Sequence, residues 1–204
     1  MIRPLAAALA LVLLAGCSGA PDSDRGAEPA SGAAPGGTAP SPEASAAEGE
    51  SGSLATATIT LYFPAADRDA LVAETREIVA TSGPAERGTQ ILAGLLEGPT
   101  VEGAARAVPE GTTLRQLWVR EDGTAYADFS DELARGQAGG SSDEILSVYA
   151  IVDSLTMNVP SIRRVGILVA GRERETLAGH LDIRLPLPPD RSLLPADAPA
   201  PARD

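Results

Sequence analysis

Between residues 55 and 187 the spacing of apolar side chains switches repeatedly between every second residue and every third or fourth. That switching restricts the chain to short strands interleaved with amphipathic helices. Thr58-Ile59-Thr60-Leu61-Tyr62-Phe63 alternates, with Ile59, Leu61 and Phe63 on one face, and Pro64 ends the run. Leu71 to Val79 reads as a second strand with charged side chains outward. Ser82-Gly83-Pro84 reads as a helix start, with a capping hydroxyl and a proline in the first turn. Ala85, Thr89, Leu92 and Leu96 then recur at helical spacing until Gly98-Pro99. A hairpin follows. Leu117 and Val119 point one way and Gln116, Trp118 and Arg120 the other; Asp122-Gly123 turns the chain. On the return, Ala125, Ala127 and Phe129 face the core while Tyr126 and Asp128 face out. Gly139-Gly140 marks a loop, and Ser141-Ser142-Asp143-Glu144 has the form of a capping box, Ser141 as cap and Glu144 at its far end. Ile145, Val148, Val152 and Leu155 supply the apolar stripe of a second helix, which Pro160 ends. Val165, Ile167 and Val169 make a core strand, Gly171-Arg172 a turn, and a last extended segment runs from Leu177 to Leu185. The predicted order is β-β-α-β-β-α-β-β. The predicted class is α+β: a small, mostly antiparallel or mixed sheet with two helices packed on one face.

The flanks are of a different kind. Residues 1–16 have the form of a signal peptide: Met1-Ile2-Arg3 carries one positive side chain, and an uncharged run follows from Leu5 to Leu14. That run falls short of the roughly 20 apolar residues a membrane-spanning helix needs. Leu14-Ala15-Gly16-Cys17 resembles the lipobox of bacterial lipoproteins. Small residues precede a cut between Gly16 and Cys17, and the thiol is the nucleophile that takes a diacylglycerol. An ordinary signal peptide with a chance cysteine is the plainer alternative. The expectation is an extracytoplasmic protein, lipid-anchored to a bacterial membrane through Cys17. As Cys17 is the one cysteine, no intramolecular disulfide is expected. Residues 17–54 are dominated by Ala, Gly, Pro, Ser and acids, and cannot bury enough surface to offset their ordering entropy. They read as a tether. Residues 55–187 suit one domain with one core, and 188–204, again Pro, Ala and charge, read as a loose tail.

Charge narrows the partners. The formal net charge is −12, and every basic residue but the single histidine is arginine, with no basic stripe. Nucleic acid and anionic headgroups are therefore poor partners, and membrane contact falls to the lipid on Cys17.

The candidate sites each carry a plain structural alternative. His180, the one histidine, could serve as a base with Asp182; the alternative is a hydrogen-bonded histidine that stabilises a turn. Zinc needs several N or S ligands, which the sequence does not offer, so no metal and no cofactor are expected. Asp128, Ser130, Asp131 and Glu132 could form an acid pair for sugar chemistry, or cap a short helix beginning near Asp131. Gly139-Gly140 lacks the lysine of a phosphate loop. Arg172 to Glu175 reads as a solvated hairpin tip or a partner-facing patch. Trp118 and Tyr126 face outward on adjacent strands; the alternative is that helices cover them. Exposed, they are the best candidate contact, because aromatic side chains dominate interface energetics.

Several stretches together resemble the GerMN domain family, named for a spore-germination and sporulation protein. They are Ile59 to Pro64, Leu95-Leu96-Glu97-Gly98-Pro99-Thr100, Val108 to Thr112 and the hairpin Glu121 to Ser130. Gly140-Ser141, Val148 to Val152, Leu155-Thr156, Val165 to Val169 and Glu175 to His180 complete the set. The resemblance implies a non-enzymatic envelope domain, often on a lipoprotein, that docks onto another envelope protein or onto itself. The resulting expectation is an interaction module with candidate contacts Trp118, Tyr126, Arg172 and His180. The alternative is a peptidoglycan or cell-wall glycan binder in which Trp118 and Tyr126 stack on sugar.

Overall fold

The computed structural model describes residues 55–137 and 140–198. The signal segment, the Cys17 lipobox, the tether, Gly139 and residues 199–204 lie outside the described residues.

Strands β1 (Thr56–Pro64) and β2 (Leu71–Val79) pair antiparallel as a two-stranded sheet. Helix α1 (Pro84–Glu97) leads to the hairpin of β3 (Leu114–Val119) and β4 (Thr124–Phe129). A one-turn helix α2 (Glu132–Arg135) and the long α3 (Ser141–Asn158) precede β5 (Arg164–Val169) and the two-residue β6 (Arg172–Glu173). The second sheet has the order β3-β4-β5-β6, with β4 and β5 parallel and the other pairs antiparallel. The expected α+β class and mixed sheet hold, but the strands fall into two sheets.

Helix α3 explains the division. Along β1 it stands where another strand would pair. The Tyr62 N–H donates to Ser154 Oγ at 3.0 Å and the Thr60 N–H to Asn158 Oδ1 at 2.8 Å. Asn158 Nδ2 donates back to the Thr60 carbonyl at 2.6 Å. Helix side chains thus satisfy a strand edge that would otherwise stay open. The single apolar stripe expected for this helix is overturned: every residue from Leu146 to Asn158 except Tyr149 is buried. The helix packs on both β1 and β5, so polar positions such as Ser154 and Asn158 are interior ones with main-chain partners.

Helix α1 is rotated from its expected face. Gly88, Ile91, Leu92 and Leu95 are buried and Thr89 is exposed. Gly88 turns inward because the core leaves no room there: a Cβ on it would lie 2.5 Å from Leu117 Cδ2 and 3.2 Å from Leu155 Cδ2. The caps also differ. Gly83, not Ser82, is the N-cap of α1, and Gly140, not Ser141, is that of α3.

The expected strand from Leu177 to Leu185 does not form. Its amides are drawn to a side chain instead, as described below. The chain rejoins the sheet at one bridge between Leu187 and Val165. The tail expected to be loose from residue 188 also differs. Up to Ala198 it lies on the domain, with Leu194 only 8% exposed and the Leu71 N–H donating to the Leu193 carbonyl at 2.8 Å. Two adjacent leucines outweigh the surrounding prolines. Among the described residues no helix is long and apolar enough to cross a membrane.

Candidate functional site

The four-stranded sheet has two unlike faces. Ala125, Ala127, Phe129, Val165, Ile167 and Val169 are buried, and Leu117 beside them reaches α1 and the interior. The other face carries Trp118 on β3 and Tyr126 on β4, which are register partners. Their rings stack, with centroids 5.6 Å apart and planes within 16°. Tyr126 leans over Gly166, its register partner on β5. A Cβ at 166 would come within 2.6 Å of the Tyr126 ring, so glycine is what lets the ring settle there. Pro186 flanks the same spot, and Leu185 beside it is 76% exposed. Both aromatic residues are half-buried, on the face opposite the helices. The outward reading of this pair therefore holds.

The other candidates fall elsewhere. Arg172 sits in β6, exposed, paired with Val169. Asp128 faces out as expected but is buried by its partners: its Oδ1 accepts the Gly171 N–H at 2.7 Å, and Arg115 Nε lies 3.5 Å from Oδ2. It pins the β5–β6 turn. Asp131 binds Arg135 at 2.8 Å, and Glu132 lies 3.7 Å from the same guanidinium. Each acid of this group has a structural partner. Asp131 does occupy the N-cap of α2, though its side chain makes no capping bond.

His180 and Glu144 meet across the domain. Glu144 is fully buried, and its carboxylate accepts the main-chain N–H groups of Leu177, Ala178 and His180 at 2.8, 3.0 and 2.7 Å. His180 Nδ1 is 3.1 Å from Oε2. Burial alone raises a carboxyl pKa. Here the three amides and the imidazole outweigh burial and hold Glu144 below its usual range. The capping-box reading of Glu144 is thus replaced: this carboxylate organises the 177–180 loop. Asp182 is not the histidine's partner, since Arg184 takes it at 2.6 Å. The structural reading of His180, a hydrogen-bonded group that fixes a turn, matches this geometry.

Two further carboxylates carried no motif in the sequence. Glu74 on β2 accepts from the Thr100 N–H and hydroxyl, both at 2.8 Å, from the Val101 N–H at 3.2 Å and from Arg76 Nε at 2.6 Å. Burial pushes its pKa up, but these donors pull it down to about 2. Arg76 also donates to the carbonyls of Gly94 and Gly98, tying the end of α1 to β2. Asp153 on α3 is fully buried. Its Oδ1 accepts the Asp190 N–H at 3.1 Å, whereas Oδ2 and the buried Tyr62 hydroxyl have no partner. Burial, reinforced by the charge of Asp190, raises its pKa to about 7. Alternation patterns reveal neither residue, because both are polar at positions that the pattern treats as surface.

A model of the Germane family, described as sporulation and spore germination, matches residues 60–175. The chain belongs to the Germane family. The first GerMN domain of the sporulation protein GerM from Bacillus subtilis is 23% identical, with a TM-score of 0.52 over 67% of this chain and 98% of that one. The tandem GerMN domains of the same protein match at 24% identity and a TM-score of 0.52, over 64% of this chain and 46% of that one. At these identities the likeness is one of fold. It supports a GerMN-like domain here, as the motifs from Ile59 to His180 implied. No curated protein sequence matches the chain.

Proposed function

We propose that this Germane-family chain is a non-catalytic docking module of the bacterial envelope, held outside the cytoplasm by a lipid on Cys17 and acting through the Trp118–Tyr126 face. The stacked pair on the helix-free face of the sheet carries the reading. Two large aromatic side chains, pre-ordered by each other and by Gly166, lose little entropy on docking. The family's link to sporulation and spore germination supports a partner among envelope assembly proteins. Stacking occupies one face of each ring, which favours a protein surface over a sugar as the occupant.

A photo-crosslinking residue placed at 118, and a second at 172, in the lipid-anchored protein in cells tests this. One recurrent envelope protein crosslinked from 118, and lost in Cys17→Ala, is the expected product. Adducts with wall fragments alone would sink the docking reading and support the glycan-binding alternative.

A further inference from the structure

The segment that follows Leu187 behaves as a ligand seated on its own domain. Leu187 is fixed to Val165 by reciprocal main-chain bonds of 2.9 and 2.8 Å. Pro188 and Pro189 then lead into a compact turn that is organised almost entirely by itself. Asp190 Oδ1 accepts the Ser192 N–H at 3.0 Å and its hydroxyl at 2.6 Å. The Leu193 N–H donates to the Asp190 carbonyl at 3.2 Å, and the Leu194 N–H to that of Arg191 at 3.3 Å. Hydrogen bonds of this local kind need no donor or acceptor from the rest of the domain.

What ties the turn to the rest of the domain is sparse and specific. The Leu71 N–H at the start of β2 donates to the Leu193 carbonyl, and Asp153 Oδ1 accepts the Asp190 N–H. Leu194 is buried in the core cluster, with Leu193 and Ala198 packed against it. The seat also holds two buried polar atoms without partners, Asp153 Oδ2 and the Tyr62 hydroxyl. A seat that is apolar, offers one strand-edge donor and one carboxylate acceptor, and leaves polar atoms unpaired has the make-up of a peptide groove. The family match ends at residue 175, so Tyr62, Leu71 and Asp153 lie within the shared domain and their occupant lies beyond it.

We propose that residues 190–198 are a releasable strap filling a peptide groove of the Germane domain, and that the trans occupant of this groove is the same segment of a second copy. The strap is the one sequence whose fit to the groove is visible atom by atom. A second copy supplies the identical Asp190 amide, Leu193 carbonyl and Leu194 side chain. Pro188-Pro189, between the fixed Leu187 and the self-organised turn, is the point at which the strap swings from its own groove to a neighbour's.

The test uses the full chain in detergent and a fluorescein-labelled peptide of residues 187–198. The variant Leu193→Ser/Leu194→Ser empties the groove. It is expected to bind the peptide saturably and at least tenfold more tightly than the wild type, whose groove is filled. A wild-type copy with one tag is expected to co-purify a double-variant copy with another, and two double-variant copies are expected not to co-purify. Failure of the double variant to bind peptide, while it still melts cooperatively, overturns the groove. Peptide binding without co-purification overturns the second copy as occupant and leaves the strap a cis contact. If the double variant does not melt cooperatively, the single variant Leu193→Ser replaces it under the same criteria.

Discussion

Replacing Glu144 by alanine tests whether one carboxylate holds the 177–180 loop on the domain. The change strands three main-chain donors, at Leu177, Ala178 and His180. Leu177 is 6% exposed, so its N–H finds no water once the carboxylate is gone. A buried donor left unsatisfied costs about 1–3 kcal/mol, and the other two, nearer solvent, add less. The void left by a side chain of 0% exposure adds more, giving a loss of about 3–5 kcal/mol. Glu144→Gln separates charge from shape. Its carbonyl keeps the bonds from Leu177 and Ala178, but its amide group faces the His180 N–H, donor against donor, so about 2–3 kcal/mol is lost. Urea titration followed by the single tryptophan, Trp118, reads both. Because the folded-state pKa is held below the ordinary value, the carboxylate's contribution is present above the usual glutamate range and fades as pH falls through it. The gap between wild type and Glu144→Gln therefore narrows in acid. A loss below about 1 kcal/mol for Glu144→Ala, or a gap unchanged by acid, would refute the role assigned to this carboxylate.

Other consequences follow from the same physics. Asp153 faces Tyr62, Tyr149, Asp190 and Arg191, and its pKa is raised from 3.8 to about 7. Stability should fall as pH rises from near 4 to near 7, because the unfolded chain releases that proton first. Asp153→Asn should then stabilise the domain at pH 8 by up to about 4 kcal/mol relative to its effect at pH 4, read as a pH-dependent gain in Tm. Glu74, held near 2, gives stability present above pH 4.5 and lost toward pH 2, and Glu74→Gln should weaken that acid dependence in denaturation midpoints. Gly88→Ala should cost about 1–3 kcal/mol by forcing Leu117 and Leu155 apart, a loss that a chemical melt would show. Trp118→Ala should lower stability by only about 1 kcal/mol while abolishing co-purification of the partner that the crosslink from 118 identifies; retained co-purification would place the contact elsewhere.

How much of this was legible in the sequence differs from element to element. Period-2 alternation placed β1, β2, the β3–β4 hairpin and β5, because pleating imposes its spacing on any strand with one buried face. The same alternation set Trp118 and Tyr126 outward, and the chain's motifs named its family. The spacing of α1 was legible, but its face was not. Ala85 and Thr89 are as helical as Gly88, and only the approach of Leu117 and Leu155 makes the glycine the inward residue. For α3 an amphipathic stripe was expected, yet Ser154 and Asn158 are buried because they pair with a strand edge about a hundred residues away in the chain. Glu144 has the spacing of a helix cap, and the capping partner it lacks is replaced by amides of a loop that follows the helix. The sequence alone determined the local order of strands and helices from β1 to β5, since periodicity and turn residues act over a few neighbours. The division into two sheets, the burial of Glu74, Glu144 and Asp153, and the seating of Leu193 and Leu194 were decided by tertiary structure. Each depends on a polar or apolar group meeting a partner that only the folded chain brings within about 3–4 Å.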